Sequence, residues 1–222
     1  VACPETDSGA IAQLPFEIDL RRYDAVVCGP GLTLEPGMLV VEVLNAELPL
    51  VLDADGLSLL AQQGVAETLH ARSSPLVLTP HLGEFKRLFP AIDPSDRLQA
   101  VQAAAALGAI VLLKGARTVV AQPEGHLWVV PDSTPALARG GSGDVLAGLL
   151  GGLLAPLAVS EPETISNTIA TIVATAAWWH ARAGFLAARD RTVLGVDPVT
   201  LAATLNAVLA ETVKDATGLG DN

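Results

Sequence analysis

Gly140, Gly141, Ser142, Gly143 and Asp144 stand in a row directly before an apolar run, Val145–Leu154, that reads as a helix. Glycines reach backbone conformations closed to other residues. A glycine turn that opens a helix aims several backbone N–H groups at one point, where the helix dipole also favours negative charge. The chemistry this suits is the holding of a phosphoryl group. Asp144 is out of place in such a cradle, because a carboxylate weakens an anion site unless it has a task of its own. Taking the proton from a hydroxyl as that hydroxyl is phosphorylated is such a task. A plainer reading stands beside it: an Asp in a first helical turn often serves only as a partner of the dipole.

Four other segments carry residues of the same kind. Gly29–Pro30–Gly31 is either a tight turn or a place where backbone meets a ligand. In Asp53–Ala54–Asp55–Gly56, Asp55 reads as the N-cap of a following helix, while Asp53 is left open between a metal, a substrate hydroxyl and neither. His81 and Glu84, three apart in Thr79–Glu84, could meet a ligand ring and a metal-bound water, or be a loop His beside a helix-start Glu. Lys114, Gly115, Ala116, Arg117 and Thr118 form a glycine-flanked turn suited to nucleotide phosphate or ribose, or an ordinary hairpin with solvated charges.

The elements that must position these segments alternate along the chain. Asp24–Cys28, Leu48–Asp53, Pro75–Thr79 and Ala109–Leu113 read as buried strands. Thr118–Ala121 and Leu127–Val130 come next, through hairpin-like turns at Lys114–Arg117 and Pro123–Gly125. Helices are expected over Pro36–Asn45, Gly56–Gln62, Gly83–Phe89, Pro94–Leu107 with Asp93 as N-cap, Gly143–Leu154, about Glu161–Ala183 and Pro198–Glu211, with a frayed GLGDN end. The pattern predicts a three-layer α/β/α domain over residues 1–222, with a mostly parallel central sheet. Ligands in such sheets sit beyond the carboxyl ends of the strands, and all five segments lie there. Trp178, Trp179 and His180, inside a long Ala/Thr-rich helix, are expected to serve core or subunit packing.

Composition narrows the function. Half of the 222 residues are apolar and the net charge is −11. A nucleic-acid surface, which needs clustered Lys and Arg, is excluded, whereas a phosphorylated small ligand is not. Cys3 and Cys28 make neither a disulfide framework nor a metal pattern, so the expected compartment is the cytoplasm. The longest apolar run, Val145–Val159, is short for a membrane span and holds Gly151, Gly152 and Pro156, so it is expected as a buried helix, with no membrane partner. The start, VACPE, reads like the tail of a strand in progress, and the expectation is a chain lacking its N-terminal segment.

In order, VCGPGLT, LVLDADGL, LTPHLGEF, LLKGARTVV and GGSGDVLAGLLGGLLA resemble the ADP/ATP-dependent NAD(P)H-hydrate dehydratases of the ribokinase-like superfamily, from about Val26 to the C-terminus. The resemblance implies a ribokinase-like fold and a repair reaction. The C6 hydroxyl of hydrated NADH or NADPH is phosphorylated from ADP or ATP with Mg²⁺, and phosphate then leaves. On this chain it implies Asp144 as base, the amides of Gly141, Ser142 and Gly143 as anion hole, and Lys114–Thr118 with Gly143 as nucleotide site. Gly31, His81 and Asp144 would contact the hydrated cofactor, and Glu84 would organise Mg²⁺ through water. It also implies a homo-oligomer, and fusion to or partnership with an NAD(P)H-hydrate epimerase. Thr33 replaces a usual glycine and Leu82 a usual proline, both expected to be tolerable. A vitamin-precursor kinase of the same superfamily and an inactive nucleotide-binding remnant are the competing readings.

Overall fold

The computed structural model describes residues 2–35, 37–159 and 162–217. Six strands, β1 (Val26–Cys28), β2 (Leu50–Leu52), β3 (Leu76–Leu78), β4 (Ile110–Leu113), β5 (Thr118–Ala121) and β6 (Leu127–Val130), lie side by side in sequence order. The first four run parallel, in register through Cys28, Leu52 and Leu78, and β4–β5–β6 finish the sheet antiparallel. The central strands are apolar at every position because both faces are covered.

One face packs against α1 (Gly37–Leu44), α2 (Asp55–Gln63), α3 (Val65–Ala71), α4 (Leu82–Leu88) and α5 (Arg97–Ala105), with Leu52, Leu78, Phe85 and Leu113 at the centre of that core. The other face packs against α6 (Ser142–Leu154) and α7 (Pro162–Arg191), through Val51, Val77, Leu112, Leu150 and Leu154. A third cluster joins α7 to α8 (Pro198–Thr217). The three-layer α/β/α architecture and the mostly parallel sheet are as expected. Among the described residues no helix is long and apolar enough to cross a membrane.

Differences from the sequence-based expectation are local and have local causes. The parallel strands are shorter than expected: β2 and β3 are trimmed at both ends, β1 and β4 only at their starts. Gly64, at φ 97°, breaks the second helical stretch and starts α3, a helix that was not expected. Asp96, not Asp93, caps α5 by accepting from the N–H groups of Leu98 and Gln99; Asp93 holds the preceding turn through Ser95. Asp55 is already inside α2 and caps nothing: its Oδ2 accepts the N–H of Thr33, tying the GPGLT turn to the β2 rim. The long helices α7 and α8 run on past their expected ends. The GLGDN segment lies outside the described residues.

Two glycines set how closely layers approach. A Cβ on Gly29, at φ 128°, would run into the carbonyl of Asp53, and one on Gly151 would run into Val27 of β1. Thr33 is the exception among the turn residues. It sits at φ 67°, where a β-branched side chain is strained. Thr in place of glycine is therefore accommodated with strain, while Leu82, exposed in the first position of α4, carries none. Thr33→Gly is predicted to raise the urea midpoint by the equivalent of about 1 kcal/mol. Gly29→Ala should lower it by about 3 kcal/mol. A lower midpoint for Thr33→Gly would show that the turn stores no strain.

Candidate active site at the strand ends

The carboxyl ends of β1 to β4 open on the same side of the sheet, and each predicted segment lies there. Gly29–Gly31 comes after β1, Asp53–Gly56 after β2, Thr79–Glu84 after β3, and Lys114–Arg117 is the turn from β4 to β5. The ladder is continued past the strands by backbone bonds from Asp53 N–H to Cys28 O, Thr79 N–H to Leu52 O and Lys114 N–H to Pro80 O. These bonds fix the loops to one another.

The glycine turn does open a helix. Gly141 is the N-cap of α6 in the left-handed conformation, φ 85°, and Gly143 and Asp144 are the second and third helical residues. Asp144 is exposed, and its side chain makes no hydrogen bond or ion pair to another described residue. Among the described residues no protein acceptor takes the N–H of Gly143, as the geometry of a helix start dictates. The N–H of Ser142 donates to Arg139 O at 3.3 Å, and its side chain is buried.

Beneath this helix start lies a polar cluster. The Lys114 ammonium donates to Asp53 Oδ1 at 2.6 Å, and Asp53 is 2% exposed. A Cβ on Gly143 would stand 3.3 Å from Asp53 Oδ2 and 3.4 Å from Lys114 Nζ. Lys114 is thus fixed under the helix end rather than swinging in solvent, and Asp53, left open by the sequence, is its anchor. His180 of α7 joins from the other side, with Nε2 2.9 Å from Ser142 O and 3.3 Å from Ser142 Oγ, and is buried. Burial pushes its pKa down to about 4, opposed by the Ser142 bond and assisted by Lys114.

His81 and Glu84 cap α4 reciprocally. His81 Nδ1 accepts from the N–H groups of Gly83 and Glu84, and Glu84 Oε2 accepts from His81 N–H at 2.7 Å. The imidazole proton is then on Nε2, which lies 3.6 Å from Glu84 Oε1 with the ring more than half exposed to the rim. Gly31 has open space where a side chain would be, unlike Gly29, so only the second glycine of the motif offers room to a ligand. The Lys114–Thr118 turn is held from behind by Arg97 of α5, whose guanidinium donates to the carbonyls of Leu113, Lys114 and Arg117. Ala116 and Arg117 are exposed, and Thr118 Oγ1 bonds Gly115 O. Cys28, buried below the rim, has its thiol pKa pushed up to about 11 by burial and is no nucleophile.

Among the described residues no three acidic, His or Cys side chains are grouped to hold a metal. That donor set fits Mg²⁺ carried on nucleotide phosphates, which needs only one or two protein carboxylates and keeps its waters. A cavity of about 370 Å³, lined by Asn45, Gln63, Thr68 and Arg72 among others, opens at the opposite ends of the strands and touches none of the motif residues.

The family model described as NAD(P)H-hydrate dehydratase matches residues 2–207. The chain belongs to the NAD(P)H-hydrate dehydratase family. It is 61% identical over 199 residues to the bifunctional NAD(P)H-hydrate repair enzyme Nnr of Synechocystis, covering 89% of this chain and 36% of that protein. The corresponding enzyme of Gloeobacter violaceus is 53% identical over 210 residues, covering 94% and 39%. The chain thus spans somewhat over a third of the length of these relatives. Among solved structures, the ADP/ATP-dependent NAD(P)H-hydrate dehydratase of Bacillus subtilis, co-crystallised with ATP/Mg²⁺ and soaked with CoA, superposes with a TM-score of 0.71 at 31% identity. It covers 90% of this chain and 68% of that one. A ribokinase-like superfamily protein of Enterococcus faecalis superposes at 0.69 with 26% identity, covering 85% and 63%, which agrees with the expected fold.

Sequence reasoning missed Arg97 and His180. No local signal marks either, since each reaches the site only by the packing of its helix. One consequence concerns acid. His180 has a folded pKa below its ordinary 6.5, so the unfolded chain binds more protons between pH 6.5 and about 4. The stability of the neutral buried ring is complete above 6.5 and drains as the pH falls, by about 3 kcal/mol in all. Urea midpoints from pH 7 to 4.5 should fall more steeply for the wild type than for His180→Gln. Parallel slopes would mean that His180 takes up its proton freely in the folded state.

Proposed function

We propose that this chain catalyses the nucleotide-dependent dehydration of hydrated NADH or NADPH. The observation that carries the reading is the placement of an exposed, unengaged Asp144 at the start of α6, beside the unpaired N–H of Gly143 and above the Lys114–Asp53 pair. Family membership and the ADP/ATP-dependent dehydratase activity of the Bacillus subtilis relative support it.

On this reading Asp144 takes the proton of the C6 hydroxyl while its oxygen forms a bond to the terminal phosphorus of ADP or ATP. The bond from that phosphorus to the departing nucleotide breaks, leaving AMP or ADP. The N–H groups of Gly141, Ser142 and Gly143 stabilise charge on the transferring group. Mg²⁺ would supply neutralisation of phosphate charge when bound, and Glu84 is the residue that would hold it through water. Lys114 and the Gly115–Thr118 turn hold the nucleotide, and Gly31 with the Nε2 edge of His81 flanks the hydrated ring. The C6–O bond then breaks, phosphate leaves with the electron pair, and loss of the C5 proton restores the ring double bond.

The cytoplasm, homo-oligomeric assembly and an epimerase in fusion or partnership belong to the same reading. The bifunctional relatives support the last of these, and Cys3 and Cys28, both free thiols, suit the first. A vitamin-precursor kinase is the less favoured reading: the hydroxyethylthiazole kinase of Pyrococcus horikoshii, 21% identical with a TM-score of 0.62 and covering 86% of this chain and 72% of that one, shares the fold alone.

The test is recovery of the dihydronicotinamide absorbance from hydrated NADH with Mg²⁺ and ADP or ATP. Nucleotide-dependent recovery is expected, whereas a stable phosphate ester would point to the kinase. Asp144→Asn should lower kcat by at least about a thousandfold while nucleotide binding, followed by calorimetry, stays within a few fold. Lys114→Ala should instead weaken nucleotide affinity by about tenfold or more; unchanged affinity would remove Lys114 from the nucleotide site.

A further inference from the structure

The peptide joining Ser142 to Gly143 is the first of α6, and its two polar ends face different surroundings. Its N–H, on Gly143, has no protein acceptor among the described residues and points out of the helix start. Its carbonyl, on Ser142, is met by His180 Nε2 at 2.9 Å. In a planar trans peptide these two groups lie on opposite sides of one rigid unit, so a bond that fixes the carbonyl also fixes the direction of the N–H.

We infer that His180 is a positioning residue for phosphoryl transfer, donating from Nε2 to Ser142 O and thereby aiming and strengthening the Gly143 N–H as an anion-hole donor. This rests on the function proposed above but concerns a residue that touches neither substrate nor nucleotide. Three features of the structure support the assignment. His180 sits on α7, an element separate from the turn, and α7 is anchored in the core by Ile169, Ala170, Val173 and Ala177 around it. The ring therefore acts as a fixed post rather than as part of the loop. Hydrogen bonding at a carbonyl polarises the whole amide, raising the donor strength of its N–H by something on the order of 10–30%. The ring must also remain a donor at Nε2 without bringing a second positive charge beside Lys114, and burial keeps it neutral. Ser142 Oγ, 3.3 Å from the same nitrogen, gives the ring a second contact that resists rotation.

A purely packing role for His180 predicts different behaviour from a positioning role, and three variants separate them. His180→Leu removes the donor while filling the space. His180→Gln places an amide N–H near the position of Nε2. His180→Asn keeps polarity but is too short to reach Ser142 O. Steady-state kinetics on hydrated NADH are expected to show kcat lowered about 10- to 100-fold in the Leu and Asn variants. KM for nucleotide should stay within about twofold, and the Gln variant should return to within a few fold of wild type. In parallel, the ¹H–¹⁵N spectrum of ¹⁵N-glycine-labelled protein without ligand should show the Gly143 amide proton moved upfield in Leu and Asn and restored in Gln.

If the wild type does not turn over hydrated NADH, the proposed reaction fails, yet the Gly143 amide still decides the role of His180. An unmoved amide, or a Gln variant no better than Leu, overturns the inference. Should His180→Leu not fold, judged by circular dichroism, the Gln and Asn pair carries the same comparison.

Discussion

The site depends on how near α6 can come to the ends of β2 and β4. Asp53 is almost completely enclosed, and a buried carboxylate without compensation costs several kcal/mol. Two things compensate it here: the Lys114 ammonium at 2.6 Å and the positive end of α6 directly above. The second is available only because residue 143 has no side chain; a Cβ there would sit against both charged groups. Ion pair, glycine and helix start are therefore one arrangement. A change at any of the three leaves a buried charge or a displaced helix.

The same arrangement resolves an electrostatic difficulty. A chain of net charge −11 is a poor host for polyphosphates in general. What the rim offers an anion is local and fixed: the start of α6 and a lysine tethered beneath it. Two of its carboxylates, Asp53 and Asp144, have surroundings that set them apart. Asp53 is enclosed, paired and fully occupied. Asp144, in the first turn of α6, is exposed and unengaged. Two acids of identical chemistry are thus separated into an anchor and a group free to accept a proton, which is how environment rather than residue type assigns roles.

Much of this was legible in the chain, and the boundary is physical. Apolar runs such as LVL and IVLL mark strands buried on both faces, and the residues just past them must then line the rim, so the four motifs that follow β1 to β4 could be placed from the sequence, and the fifth by its glycine turn before an apolar helix. What a motif cannot show is which of its members turns inward. Gly29 and Gly31 are indistinguishable as letters, yet one is forced by the Asp53 carbonyl and the other opens onto space. Asp53 and Asp55 likewise depart from their plainest roles: the first anchors a lysine 61 positions away, the second holds a loop N–H rather than a helix end. His180 was hidden for a further reason. A His between tryptophan and alanine in a long helix carries no periodic or spacing signal, and only the crossing of α7 over the start of α6 brings it to Ser142.

The cradle alone does not distinguish the proposed dehydration from a kinase reaction. Transfer of a phosphoryl group to a hydroxyl asks the same things of a protein in either case: a base, fixed donors and a held nucleotide. The fate of the phosphorylated product is set by the acceptor. A phosphate on a carbon next to the ring nitrogen of a hydrated nicotinamide is a leaving group that the nitrogen lone pair can expel, whereas on an ordinary primary alcohol it is a stable ester. The protein's part in deciding between the two outcomes therefore lies less in Gly141–Asp144 than in the residues that choose which hydroxyl reaches Asp144. On the proposed reading those are the open side of Gly31 and the exposed Nε2 edge of His81. The latter is held in one tautomer by the backbone of α4, so that a ring of the right shape meets a donor already in place. On the proposed reaction, specificity for the hydrated cofactor would rest on two loops tied into the sheet ladder, and the transfer chemistry on the helix opposite.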